Sequence, residues 1–128
     1  MLGQIWYMQK IILFNSRDTL IRIDIQQIAY FESDGNYTYI VATNKLRSCL
    51  TMNLAHTEQA LASQLGALAH RFMRIGKRYI VNMQHIYQID TLKQMLTLSD
   101  GSSFVFQLPV SKEALKQVKA ILIESAKK

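Results

Sequence analysis

The chain is interrupted by turn-forming residues too often to build long helices or a parallel sheet. Apolar, β-branched and aromatic runs at residues 10–15, 18–23, 28–34, 37–42 and 46–52 are broken by Asn15-Ser16-Arg17, Asp34-Gly35-Asn36 and Thr43-Asn44-Lys45. Connections this short force neighbouring strands to pair antiparallel, because a parallel crossover needs about a dozen residues or more. Within 37–42, Tyr37, Tyr39 and Val41 fall on one face of the strand and Thr38, Ile40 and Ala42 on the other.

Residues 53–65 change character. They hold Ala, Leu, Gln and Glu with Asn53 placed to cap and Gly66 to stop, and Leu54, Glu58, Leu61 and Leu65 recur at helical spacing. Strand-like runs return at 72–75, 77–82 and 86–90, and 95–99 and 103–108 flank Asp100-Gly101, a strong hairpin signal. Phe104, Phe106 and Leu108 face one way, Pro109 ends the strand pattern, and 111–126 read as a last helix with Leu115, Val118 and Leu122 on its apolar stripe. The fold expected is mainly β: antiparallel sheets of short strands, one mid-chain helix and a C-terminal helix, with the helices at the sheet margins. No repeat or linker divides it, so residues 10–128 form one domain behind an N-terminal extension, 1–9.

Composition excludes several classes. Of 128 residues 49% are apolar and 19% charged, enough to bury a core, and no apolar run approaches the roughly 20 residues of a spanning helix, so membrane insertion is not expected. Cys49 is the only cysteine and no signal-peptide pattern opens the chain, which favours a reducing, cytoplasmic compartment. Asn36-Tyr37-Thr38 matches the N-glycosylation string and, without a secretory signal, is read as coincidence. His56, His70 and His85 are far apart, no zinc spacing, phosphate loop, dinucleotide fingerprint or hydrolase elbow occurs, and Cys49 in a strand reads as a packed thiol. No enzyme, metal or cofactor is expected.

Charge points to a partner. The net charge is +6, and between residues 35 and 89 six bases stand against a single acid, Glu58, with Arg71, Arg74, Lys77 and Arg78 inside eight residues. Such a run suits a surface that meets phosphates, while composition alone fits a solvated face equally well. The first helix carries no Lys or Arg and is a poor groove reader. Basic, amide and hydroxyl side chains collect instead at strand ends and turns: Asn36, Thr38, Arg74, Lys77, Arg78, Ser111 and Lys112.

Three strings, Ile28-Ala-Tyr-Phe-Glu-Ser-Asp-Gly-Asn-Tyr37, Phe72-Met-Arg-Ile-Gly-Lys-Arg-Tyr-Ile-Val-Asn82 and Leu108-Pro-Val-Ser111, together resemble the LytTR DNA-binding domain of bacterial response regulators, in order and spacing, from about Lys10 to Leu122. The resemblance implies an elongated arrangement of antiparallel sheets whose loops enter successive major grooves of double-stranded DNA at promoter repeats. It implies base reading near Thr38 and at Lys77, and backbone contacts at Tyr39, Arg74 and Arg78. It implies a third contact at Ser111 and Lys112, where a helix N-terminus also attracts phosphate. Thr38 and Ser111 stand where some members carry His or Arg, and their short hydroxyls reach less far into a groove.

Structural readings stand beside these. Tyr37 and Tyr39 read first as cross-strand packing residues, and Asn82 as a side chain bonded to turn backbone. Lys112, Lys116 and Lys119 share a helix face that suits solvent and phosphate alike. The function expected is a sequence-specific transcriptional regulator of a two-component type, monomeric when free, controlled by abundance or by a regulatory or sensor partner. A stand-alone module and a piece of a longer regulator both stay open. The competing reading is a β-rich protein–protein interaction module with incidental basic loops.

Overall fold

A computed structural model describes residues 10–127; the expected extension, 1–9, and residue 128 lie outside the described residues. Among the described residues, ten strands form three antiparallel sheets. β1 (Ile11–Asn15) and β2 (Leu20–Asp24) make a hairpin. β3 (Ile28–Asp34), β4 (Tyr37–Ala42), β5 (Arg47–Leu50), β6 (Phe72–Ile75) and β7 (Tyr79–Asn82) form a five-stranded sheet in the order β5-β4-β3-β7-β6. β8 (Ile86–Asp90), β9 (Met95–Ser99) and β10 (Val105–Pro109) form a third sheet. Helix α1 is Leu54–Leu65 and α2 is Lys112–Ala126.

The five-stranded sheet is the middle layer, and its alternation serves two cores. Phe31, Ile40, Phe72 and Ile80 point to one side, where Leu54, Leu61 and Leu65 of α1 and Ile12 and Phe14 of the β1–β2 hairpin cover them. Tyr30, Val41, Ile75, Tyr79 and Val81 point to the other, against Leu96, Leu98 and Leu108 of the third sheet, Phe104 of its β9–β10 loop, and Leu115 and Val118 of α2. The mainly β expectation holds, while the helices cover sheet faces instead of lying at the margins: a central strand apolar on both sides needs a partner on each.

Local chemistry explains the boundaries. Asn53 caps α1 by accepting from the His56 N–H at 2.9 Å, and Gly66 ends the helix at φ +56. Thr57, not Glu58, is the buried member of the α1 stripe, its hydroxyl bonded back to the Asn53 carbonyl at 2.9 Å. The link to β6 is a six-residue 3-10 segment, Gly66–Arg71. The Asp100-Gly101 hairpin is wider than its sequence suggests, because β10 begins at Val105 and not at Ser103. The Asp100 carboxylate holds that loop by accepting from the Ser102 and Ser103 N–H groups at 2.9 and 2.7 Å and from the Ser103 hydroxyl. Pro109 is tolerated as the last residue of an edge strand.

Asn82 joins the layers. Its Nδ2 donates to the Ile25 and Ile28 carbonyls at 3.2 and 3.0 Å, and its Oδ1 accepts from the Gln84 N–H at 3.1 Å. The structural reading of Asn82 is therefore the right one: it is 1% exposed and fastens the end of β7 to the turn that enters β3.

Asn82→Ala leaves two buried carbonyls and an N–H without their partner, and is expected to cost about 3 kcal/mol of stability, read from the urea midpoint. At Asp100, the Ser103 hydroxyl and then the Ser102 and Ser103 N–H groups hold the carboxyl well below the ordinary 3.8. A depressed acid stabilises fully above its unfolded pKa and loses that contribution as pH falls toward its folded one. Asp100→Asn should therefore lose less stability than the parent chain on acidification below pH 3.8, measured by thermal melts across that range.

Candidate nucleic-acid interface

Two turns emerge at the same end of the middle sheet. β3 and β4 join through Gly35, at φ +63, and the exposed Asn36; β6 and β7 join through Gly76, at φ +62, and the exposed Lys77 and Arg78. A positive φ suits glycine and lets each strand reverse tightly. Because β3 pairs antiparallel with β7, the end of one meets the start of the other, and the Ser33 N–H donates to the Arg78 carbonyl at 2.8 Å. Two hairpins some forty residues apart in sequence are thereby locked side by side.

A third segment meets the second turn. Residues 75–79 and Pro109, Val110 and Ser111 line a common cleft of about 380 Å³, apolar at its floor. Ser111 is the N-cap of α2, its hydroxyl accepting from the Ala114 N–H at 3.3 Å, and Lys112 opens the helix. Lys77 and Ser111, the N-cap of α2, therefore border one cleft, with Lys112 next along the chain, and a helix start beside a lysine suits an anionic oxygen.

The charges sort by partner. Arg74 extends from β6 on the α1 side and pairs with Glu58 at 2.9 Å, so the lone acid of the basic stretch is spent on it and Arg74 does not join the turns. Arg78 donates to Glu32 Oε2 at 2.5 Å while its side chain stays 58% exposed. Among the described residues Lys77 and Lys112 have no ion-pair partner. Lys116 and Lys119 are exposed on α2, leaving their two readings as they stood.

Thr38 corrects an expectation. It is fully buried, and its hydroxyl donates to the Met52 carbonyl at 2.8 Å, so it has no atom to offer a base edge. The strand alternation that exposes Tyr37 turns Thr38 inward. Tyr39 is half-buried under the Arg47 guanidinium, 4.1 Å from the ring centroid, which favours packing over a free backbone contact. Cys49 is also corrected: it lies in β5, yet its side chain is exposed and not packed.

Sequence reasoning missed Glu32 and Arg47. Glu32 is cross-strand partner to Tyr39 on one side and Tyr79 on the other, and its carboxylate receives Arg47 at 3.4 Å as well as Arg78. The Glu32–Tyr39 pair follows from counting back from the Gly35 turn; the pairing with β7 has no local signal. Burial pushes the Tyr30 and Tyr79 phenols up, with the Glu32 charge adding to it, so both stay neutral at physiological pH. Among the described residues no cluster of three or more His, Cys, Asp or Glu side chains could hold a metal ion, and no helix is long and apolar enough to cross a membrane.

Comparison with known proteins bears on the fold and the family. A solved LytTr DNA-binding domain from Bacillus cereus superposes with a TM-score of 0.62 at 22% identity, over 88% of this chain and 95% of that one, which establishes the fold. Two curated proteins of Paraburkholderia xenovorans strain LB400, the heme-containing CO-sensing transcriptional regulators RcoM 1 and RcoM 2, are 28% and 27% identical over 106 residues. Those matches take in 83% of this chain and 37% of the length of each relative. The family description "LytTr DNA-binding domain" matches residues 18–123, both turns and the start of α2 included, and the chain belongs to that family.

Proposed function

We propose that this DNA-binding domain is the sequence-reading part of a transcriptional regulator, and that it engages double-stranded DNA with the sheet end that carries its two glycine turns. The observation that carries the reading is the convergence there of Asn36, Lys77, Ser111 and Lys112, all exposed, with both lysines unpaired among the described residues. Asn36 and Lys77 stand at turn tips, the positions from which a side chain can reach a base edge in a major groove. Amide and ammonium donors suit adenine and guanine edges respectively. Arg78, Lys112 and the α2 N-terminus contact phosphates and set register. Thr38 anchors its turn, Tyr39 buttresses it, and Arg74 is left out of the contact set.

The two curated relatives are named as transcriptional regulators, which supports the regulator reading. On this proposal the domain is an output module in a bacterial cytoplasm, binding repeated promoter sites as monomers placed side by side. A sensor or response-regulator partner supplies the controlling signal.

Selection from random duplex DNA at physiological salt, with Lys77→Ala in parallel, tests it. The parent chain should enrich a motif, and Lys77→Ala should bind that motif about 1–3 kcal/mol more weakly while relaxing preference at one position. About four neutralised phosphates give a slope of log K on log salt near −4. No enrichment, with a salt-insensitive protein contact in its place, would favour the interaction-module reading. Thr38→Val should keep the selected motif and lose about 1 kcal/mol of stability, seen by denaturant titration; a changed motif would restore Thr38 as a reader.

A further inference from the structure

We infer that Glu32, an acid at the proposed DNA-binding end, is a positioning residue that strengthens specific binding, although its own charge repels phosphate. The inference rests on the reading above. Glu32 occupies the centre of a cross-strand row that spans the whole middle sheet, with Cys49 and Tyr39 on one side and Tyr79 and Ile75 on the other. Its side chain is 17% exposed and its two oxygens take arginines from different elements: Oε1 meets Arg47 of β5 at 3.4 Å and Oε2 meets Arg78 of the β6–β7 turn at 2.5 Å. Arg47 in turn lies on the Tyr39 ring at 4.1 Å, and the Arg78 guanidinium carbon sits 5.4 Å from the Tyr79 centroid.

The consequence is mechanical. Arg78 immediately follows Lys77, and its carbonyl is already fixed by the Ser33 N–H at 2.8 Å. With its guanidinium fixed by Glu32, Arg78 is anchored at both backbone and side chain, so Lys77 projects from a turn with little freedom left. Holding that turn before DNA arrives lowers the ordering cost of specific binding. Nonspecific binding has no such requirement, because it draws on net charge, and there Glu32 only lowers a total that stands at +6 with it included. The two kinds of binding therefore respond to Glu32 with opposite signs.

Glu32→Gln, tested as the full chain on the selected duplex and on a scrambled one at equal salt, separates the alternatives. The expected result is binding about tenfold weaker on the selected duplex, unchanged or tighter binding on the scrambled one, and a smaller Lys77→Ala penalty in the Glu32→Gln background than in the parent. Equal or tighter binding to both duplexes with the full Lys77→Ala penalty overturns the inference. Should Glu32→Gln fail to fold, Glu32→Asp makes the same test with net charge intact, since the shorter side chain cannot hold Arg47 and Arg78 together. Unchanged specificity in Glu32→Asp overturns it too. A parent chain that selects no motif overturns the DNA-reading proposal itself, and this inference with it.

Discussion

The pairing of β3 with β7 is the constraint on which the molecule depends. β3 is hydrogen-bonded along both edges, to β4 by a short hairpin and to β7 across almost fifty residues, and it buries side chains on both faces. Phe31 serves the core under α1, and Tyr30 the core under the third sheet. Without that pairing the first half of the chain is a hairpin and a meander with an uncovered face, and the second has no sheet on which to place its turn. Asn82 reinforces the junction by bonding two carbonyls that flank the start of β3.

The pairing also distributes charge. Three arginines, Arg47, Arg74 and Arg78, have carboxylate partners, whereas the lysines at the turn tip and helix start have none among the described residues. Arginine's planar fork suits a fixed ion pair, and lysine's compact, hydrated ammonium suits a contact formed only when a partner comes. A basic stretch that looks uniform in composition is thus divided by the fold into Arg47 and Arg74, which hold the structure, Lys77 and Lys112, which are left for a ligand, and Arg78, which is paired with Glu32 yet 58% exposed and serves both. Exposed ion pairs of this kind contribute little stability, about 0–1 kcal/mol each, so their effect at the turns is on geometry.

Much of this was legible residue by residue. The Gly35 turn fixed which residues of β3 and β4 face each other, Asn53 and Gly66 bounded α1, Ser111 marked the start of α2, and the outward place of Lys77 followed from its position beside Gly76. Thr38 shows why a turn is hard to read locally: its neighbours Asn36 and Tyr37 are exposed, and only its burial and its bond to the Met52 carbonyl, fourteen residues on, reveal it as interior. Cys49 was misjudged in the opposite sense, because a residue on an edge strand has no second neighbour to cover it. The Asp100 loop widened because a carboxylate that gathers several donors overrides the local preference of Asp-Gly for a two-residue turn.

By itself the sequence determined what depends on neighbours a few residues away: strands and their turns, helix caps, antiparallel pairing within hairpins, the basic excess and the absence of familiar catalytic strings. The order of the middle sheet, the two-sided core and the pairing of each arginine with its acid were decided only by tertiary structure. So were the meeting of Asn36, Lys77 and Ser111 at one end and the place of Glu32 between two arginines. These depend on contacts between residues far apart in the chain, whose energies are set by burial and geometry that no local pattern encodes.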